Sequence, residues 1–136
     1  MQSKKTYYQK AMRYIDNAKD ELKKAKIQKD GLFYDDVKYV RSAAGIAYIG
    51  VEQAAKWYLG LNGIKGKFTH TEQIKDGLRK INNNAKDYFN SCYNLLYIAT
   101  YLYGDEKVTT IKNAFDSAEC FIAFLKPYKD DTFCKN

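Results

Sequence analysis

The chain has 136 residues, which predicts a single domain with one sizeable core. Apolar residues make up 46% of the sequence and charged residues 29%, a balance that excludes an intrinsically disordered chain. Lysine and arginine outnumber aspartate and glutamate by 23 to 16, and the net charge is +7. The excess lies mainly in the first 30 residues. It indicates either a solvated helix face or a surface for an anionic partner such as nucleic acid.

Targeting, membrane and metal signals are weak throughout the sequence. The first ten residues, MQSKKTYYQK, lack the apolar core of a signal peptide, and the longest apolar run, AAGIAYIGV, falls short of the roughly 20 residues of a membrane helix. A cytoplasmic protein is therefore expected. The cysteines form no CxxC pair and His70 is the single histidine, so neither a metal site nor a cofactor is expected. Cys92 and Cys120 lie in apolar helical patterns, which predicts buried, reduced thiols.

Hydrophobic periodicity predicts helices in chain order. The first runs over about residues 6–26 with one apolar stripe, and the second runs over about residues 37–61. Thr69 and Glu72 form a capping-box pattern that opens a short third helix, which the asparagines at 82–84 end. Asn84 is the predicted N-cap of a fourth helix. Asp105 is the predicted N-cap of a fifth helix, which Pro127 ends.

These elements predict an all-α, single-domain, up-and-down bundle of four long helices and one short helix. The domain spans 1–136, with an ordered core over about 6–127 and a loose tail over 128–136. In the fourth helix the predicted core stripe is Tyr88, Cys92, Leu95, Ala99 and Leu102. An aromatic line with a spacing of four residues, formed by Phe89, Tyr93, Tyr97 and Tyr101, runs beside it.

The second helix is built from unusually small side chains. One line along it is a candidate packing or homodimer seam and consists of Ala43, Ala47, Gly50, Ala54 and Trp57. A second line is a candidate polar groove and consists of Lys38, Arg41, Gly45, Glu52 and Lys56, flanked by Tyr48 and Ile49. Glycine inside a helix costs roughly 1 kcal/mol relative to alanine. Gly45 therefore indicates a close approach to the backbone, by another helix or by a ligand.

No catalytic motif is recognisable in the sequence. His70 lies in the first turn of a helix between two threonines, and no paired carboxylates or phosphate-binding glycine loop occur. Nucleic-acid binding is the stronger alternative, because exposed tyrosines could stack on bases while lysines contact phosphates. The candidate contacts are Lys4, Lys5, Lys10, Lys65, Lys67, Tyr93, Tyr97 and Tyr101. The competing interpretation is that the rings belong to the edge of the core.

The order of elements resembles the HEPN-like helical bundles. It combines the stretches YYQKAMRYIDNAKDEL and FYDDVKYVRSAAGIAYIGV with a short helix opened by FTHTEQI and two final helices. The first two stretches look most like a small bacterial family of unknown function with that fold. The resemblance implies a bundle that often dimerises. HEPN ribonucleases carry an arginine four to six residues before a histidine on a late helix, and residues 84–127 contain neither residue type. The nearest match to this motif is Lys65, five residues before His70, with lysine in place of the arginine.

The sequence therefore predicts a noncatalytic interaction or oligomerisation module whose partner is a second copy of itself or another protein. A nucleic-acid or nucleotide binder, such as a toxin–antitoxin component without the ribonuclease motif, is the alternative. A divergent enzyme would require a pocket that holds His70 together with an acid or a nucleophile.

Overall fold

The computed structural model describes residues 4–125, with side chains described from residue 7 onward. The helices are α1 (Lys4–Leu22), α2 (Val37–Leu61), α3 (Thr71–Ile81), α4 (Asn83–Cys92), a π-helix (Tyr93–Leu102) that continues α4, and α5 (Val108–Phe124). Within residues 4–125 no strand forms, and the only β-type pairs are two isolated bridges, Ile27 with Tyr34 and Phe33 with Lys107. The predicted all-α bundle is confirmed. The predicted loose tail and the helix end at Pro127 lie outside the described residues.

Helix α2 is the centre of the bundle, since it contacts every other helix of the described chain. Its line of small residues faces α1. A Cβ atom at Gly50 would lie 2.7 Å from Cβ of Tyr14 and 3.2 Å from the carbonyl oxygen of Ala11. Such distances are shorter than van der Waals contact, so only glycine allows α1 to approach this closely. Small side chains on α2 thus let several helices pack around one axis.

Several helix boundaries differ from the predicted ones by a few residues. α1 ends at Leu22 rather than near residue 26, because the following chain turns and pairs Ile27 with Tyr34. The cap of α3 is shifted by one position: Gln73 Oε1 accepts hydrogen bonds from the backbone N–H groups of Thr69 (2.9 Å) and His70 (3.1 Å). The Thr69–Glu72 capping box is therefore wrong, although the region of the helix start is correct.

The two predicted N-caps of the later helices are displaced as well. α4 is capped by Asn82 rather than Asn84, and the Asn82 side chain accepts from the N–H of Asn84 at 2.8 Å. α5 begins after Lys107, two residues beyond the predicted cap Asp105. The Asp105 carboxylate accepts from the N–H of Lys107 at 2.9 Å and so still stabilises the turn that leads into the helix.

The π-helix changes which residues of the fourth predicted helix reach the core. The buried residues are Ala85, Phe89, Cys92, Leu96 and Thr100. The predicted stripe is therefore only partly correct: Cys92 is buried, and Tyr88 and Leu95 are partly buried against the core. Leu96 and Thr100 take the buried positions after Cys92, because a π-helix bonds residue i to residue i+5 and rotates the following side chains away from the 3.6-residue pattern. Leu102 is 42% exposed as a result. The Thr100 hydroxyl is buried and donates to the carbonyl oxygen of Leu95 at 2.8 Å.

Two further sequence predictions concern thiols and membranes. Cys92 is buried and free, as predicted, and burial raises the pKa of its thiol far above the ordinary value. Cys120 is half-buried and disulfide-bonded, so the prediction of a buried, reduced thiol is wrong there. Among residues 4–125, no helix has both the length and the apolarity needed to span a membrane.

Candidate functional site

A cleft of about 660 Å³ lies between α2, the π-helix and the chain that leads into α3. We call it the tyrosine cleft, because four tyrosines contribute to its walls. It is lined by Gly45, Tyr48, Ile49, Glu52, Thr69, His70, Thr71, Glu72, Tyr93, Tyr97 and Tyr101. Three elements that are distant in sequence therefore meet around one cavity.

One wall of the cleft is a ladder of stacked rings on the π-helix. The ring centroids of Tyr93 and Tyr97, and those of Tyr97 and Tyr101, are 5.6 Å apart, and both pairs are inclined by only 18°. Tyr48 of α2 packs against this ladder, with its centroid 5.3 Å from that of Tyr97 and 6.0 Å from that of Tyr93. Offset stacking of this kind adds to the energy of burial and holds the rings in place.

Tyr48 joins the ladder to the start of α3. Its ring is buried, and its hydroxyl lies 3.3 Å from Oγ1 of Thr71, so the two groups share a hydrogen bond. Burial raises the pKa of the Tyr48 phenol far above its ordinary value, and the hydrogen bond to Thr71 opposes that shift only partly. Tyr48 is therefore a neutral hydrogen-bonding group at the base of the cleft.

Gly45 allows the ladder to pack closely against α2. A Cβ atom at this position would lie 3.2 Å from Cδ1 and from Cε1 of Tyr101, which is tighter than ordinary contact. The group that approaches the backbone of Gly45 is thus the chain's own Tyr101 ring. Gly45 also lines the cleft, so a ligand there would contact the same part of the helix.

The charges that line the cleft are acidic. Glu52 and Glu72 contribute carboxylates, and no lysine or arginine is among the lining residues. Burial raises the pKa of Glu52, although the nearby charge of Lys56 opposes this shift. Within the described chain the Glu52 carboxylate forms neither a hydrogen bond nor an ion pair within 4 Å. Partial burial of a carboxylate without such a partner is energetically unfavourable.

His70 lies at the mouth of the cleft as the N-cap residue of α3. The structure therefore brings the only histidine of the sequence near Glu52 and Glu72. Among the described contacts, no hydrogen bond joins the His70 ring to either carboxylate. A catalytic histidine is usually oriented by a hydrogen-bonded acid, and His70 has no such hydrogen bond within the described part of the chain.

The predicted polar groove is divided by the structure. Gly45 and Glu52 line the cleft, whereas Lys38, Arg41 and Lys56 do not. Arg41 instead donates from Nε to the carbonyl oxygen of Tyr101 (2.8 Å) and from a terminal nitrogen to that of Leu102 (3.3 Å). The Lys38 ammonium lies 4.8 Å from the ring centroid of Tyr39. Both cations thus have structural partners within the chain.

The predicted seam on α2 is occupied within one copy of the chain. Ala43, Ala47, Gly50 and Ala54 are buried, and Trp57 stacks on Tyr7 of α1 with centroids 5.3 Å apart. The packing function of this line therefore agrees with the structure. Because α1 covers the line, it is closed to a second copy of the chain.

The candidate nucleic-acid contacts do not form one surface. Tyr93, Tyr97 and Tyr101 line the cleft, but Lys10 lies on α1. At 100° per residue, the α2 positions that face the cleft lie opposite those that face α1. Lys65 and Lys67 are exposed in the loop before α3 and do not line the cleft. Lys4 and Lys5 begin α1, and their side chains lie outside the described set.

The helical spacing in the sequence predicts Gly45 and the tyrosine ladder as candidate site residues. It does not predict that Thr69, Thr71 and Glu72 line the same site. Residues 45, 48, 49 and 52 of α2 are spaced by three or four positions, which places them on one helix face and indicates the α2 side of the cleft. No local pattern could show that the start of α3 covers that face. In the described part of the chain, no group of three or more acidic, histidine or cysteine side chains is arranged to hold a metal ion.

Together, the fold and the cleft define an all-α bundle with an acidic, tyrosine-lined cavity between its central helix and a π-helix. A family model described as a domain of unknown function, DUF5618, matches residues 6–126, and the chain belongs to this family. A solved structure of a protein of unknown function from Dyadobacter fermentans is similar, with a TM-score of 0.79 and 30% identity. The match covers 92% of this chain and 97% of that one. None of the curated proteins matches the chain.

Proposed function

We propose that the protein is a noncatalytic binding module and that its ligand site is the tyrosine cleft. The observation that carries the proposal is a cavity of about 660 Å³ with a stacked aromatic wall and a few polar groups. Ligand sites have volumes of roughly 300–1,000 Å³ and combine apolar or aromatic walls with a small number of polar groups. The rings are held in place by one another and by Tyr48, so contacts within the chain fix the shape of this wall.

A fragment screen followed by aromatic NMR resonances tests this proposal. We expect a subset of small aromatic or heterocyclic fragments to shift the resonances of Tyr93, Tyr97 and Tyr101 and to bind less well to Tyr97→Ala. Tyr88→Ala is the matched control, because Tyr88 is also half-buried on the preceding helix but pairs with Phe124, at 5.1 Å, outside the cleft. The proposal fails if no fragment shifts the cleft resonances, or if both variants reduce binding equally.

A divergent enzyme is the first competing function, because His70 shares the cleft with two carboxylates. The missing hydrogen bond between His70 and an acid supports a noncatalytic site, as does the absence of the HEPN ribonuclease motif from residues 84–127. We expect wild type and His70→Ala to be equally inactive on RNA. Cleavage by wild type that is lost in His70→Ala would establish catalysis instead.

Nucleic-acid binding is the second competing function, and the exposed end of the ladder favours it. Tyr101 is 42% exposed and could stack on a base. The cleft itself lacks cations for phosphates, so the proposal expects no specific binding of RNA or DNA at low salt. A salt titration decides between the two. Affinity that falls steeply with salt and is reduced by Tyr101→Ala would favour the nucleic-acid binder.

Three finer properties remain part of the proposal. A HEPN-like relationship is supported by the helix order and would be tested by superposing the structure on HEPN bundles. A homodimer would have to use a surface other than the line covered by α1, and light scattering distinguishes it from a 15.8 kDa monomer. The third property is a cytoplasmic location. Cell fractionation with a thiol count tests it.

A further inference from the structure

The charge of the cleft contrasts with the charge of the whole chain. The protein carries a net charge of +7, yet the acidic residues Glu52 and Glu72 line the tyrosine cleft and no lysine or arginine does. A groove lined by one sign of charge attracts ligands of the opposite sign. The lining carboxylates therefore favour a cation over the anionic ligands that the overall charge suggests, and Glu52 is the one left for a ligand, since Glu72 is paired with Lys75.

The aromatic wall already holds one cation of its own chain. The Lys75 ammonium lies 4.6 Å from the centroid of the Tyr93 ring and 3.4 Å from the Glu72 carboxylate. The electron-rich face of an aromatic ring attracts a cation within about 6 Å. At this end of the ladder, a ring and a carboxylate thus bind an ammonium group together.

The middle of the cleft offers the same combination of tyrosine rings and a carboxylate, and Lys56, whose charge acts on that carboxylate, does not line the cleft. Glu52 is half-buried, and within residues 7–125 its carboxylate has no hydrogen bond and no ion pair within 4 Å, although the charge of Lys56 acts on it. The Tyr48, Tyr97 and Tyr101 rings line the same cavity. An external cation placed there would lie beside the tyrosine wall and neutralise Glu52, as Lys75 does at Glu72.

We propose that the tyrosine cleft binds an organic ammonium cation, with the tyrosine wall beside the charged head and Glu52 as its counterion. The inference rests on the proposed function of the cleft as a ligand site and adds the chemical class of the ligand. A cavity of about 660 Å³ leaves room for an organic body attached to the charged head. Burial of the Glu52 carboxylate strengthens its attraction for a cation in the cleft.

The test is a titration with choline and with 3,3-dimethylbutan-1-ol, a neutral molecule of the same shape. We expect choline to shift the ring resonances of Tyr48, Tyr97 and Tyr101 and to bind at least about tenfold more tightly than the neutral alcohol, since a desolvated cation–π contact is worth roughly that much. Equal binding of the two molecules, or no binding of choline, overturns the inference.

Matched carboxylate variants show whether Glu52 is the counterion. Glu52→Gln should weaken choline binding about tenfold, because it removes the buried charge and keeps the shape. Asp87→Asn changes the net charge by the same amount on the surface of α4, where Asp87 pairs with Lys86 at 2.7 Å, and should leave choline binding unchanged. If the two variants weaken binding to the same extent, the effect is one of net charge and the assignment of Glu52 is wrong.

Two further titrations show whether the cation belongs to a small molecule or to a partner protein, and whether a negative result concerns the cation inference or the proposed binding function. A peptide that carries trimethyl-lysine presents the same head group, and stronger binding of this peptide than of free choline would identify a partner side chain as the source. AMP provides an anionic aromatic probe. If AMP or neutral fragments bind in the cleft while choline does not, the cation inference fails and the proposed binding function stands.

Discussion

Gly45 and Gly50 of α2 lie against different neighbours, and these neighbours predict opposite effects on stability when each glycine is replaced by alanine. Gly50 faces fixed atoms of α1: Cβ of Tyr14 and the carbonyl oxygen of Ala11. Gly45 faces the ring of Tyr101, which is 42% exposed and can move by a few tenths of an ångström. Both substitutions to alanine gain the same helix propensity, roughly 1 kcal/mol, so the difference between them reports packing alone.

We expect Gly50→Ala to lower the free energy of unfolding by about 1–3 kcal/mol, because the added methyl group forces α1 away from α2. Gly45→Ala should leave stability unchanged or raise it by up to about 1 kcal/mol. Urea denaturation of the two variants measures both values. A loss at Gly45 as large as that at Gly50 would contradict the interpretation, since it would mean that Tyr101 is held rigidly.

Glu52 is expected to destabilise the folded protein at neutral pH. Burial raises its pKa above the ordinary value of 4.5, so between that value and the raised pKa the folded state binds more protons than the unfolded state. Stability contributed by the neutral carboxyl group is therefore lost as the pH rises through the folded pKa. A residue that lowers stability in this way, in a cleft, is typical of a binding site.

We therefore expect Glu52→Gln to be more stable than wild type at pH 7, with a difference that shrinks as the pH falls and disappears below about pH 4.5. Thermal unfolding over this pH range measures the difference. Asp87→Asn is the control and should show no such gain, because Asp87 is exposed and paired with Lys86. A less stable Glu52→Gln at pH 7 would show that the carboxylate has favourable contacts in the folded state.

At the scale of elements, the π-helix positions the tyrosine ladder, and the carbonyl groups at its C-terminal end need hydrogen-bond donors. Its last carbonyl groups include those of Tyr101 and Leu102, and Arg41 of α2 donates to both. Gly104, with φ of 67°, turns the chain away from the helix end. A side chain of the central helix thus fixes the end of the element that carries three of the four cleft tyrosines.

We expect Arg41→Ala to lower the free energy of unfolding by about 1 kcal/mol, which is less than the roughly 1.5–3 kcal/mol of hydrogen bonds that involve a charged group, because the guanidinium is exposed. The variant should also broaden the ring resonances of Tyr101. Lys38→Ala, one turn earlier on α2, is the control and should change stability by less than about 0.5 kcal/mol. Equal effects of the two substitutions would mean that Arg41 does not stabilise the π-helix.

The sequence predicted α2 with its observed bounds but not the π-helix. Periodicity works for α2 because its small residues keep the 3.6-residue pattern from end to end. In the fourth predicted helix, Leu95 and Leu96 are both apolar, so either register satisfies the local pattern. The choice of Leu96 and Thr100 for the core depends on packing against α2 and α5, which the local sequence does not encode.

At the scale of the whole molecule, α2 lies between a packing side and a cleft side. α1 covers the first side, and its attachment includes the stacked pair Tyr7 and Trp57 and an ion pair between Lys19 and Glu119 of α5. Trp57 is the only tryptophan of the chain, so its fluorescence reports the docking of α1. The buried core is continuous from α1 to α5, which favours cooperative unfolding.

We expect Trp57 fluorescence and far-ultraviolet circular dichroism to give the same urea midpoint, because separation of α1 would expose the buried line of α2 and unfold the rest. Both signals are recorded on the same samples, so the conditions are matched. A fluorescence transition at a lower urea concentration than the loss of helix would show that α1 detaches independently.

By itself, the sequence determined the all-α class, the order of the helices and the central position of α2, because helix periodicity and caps are local properties of the chain. Only the tertiary structure decided that α1 closes the small-residue line and that the start of α3 closes the cleft over Gly45 and Glu52. These are contacts between segments distant in sequence. Which face of an amphipathic helix meets which partner depends on the packing of all helices at once.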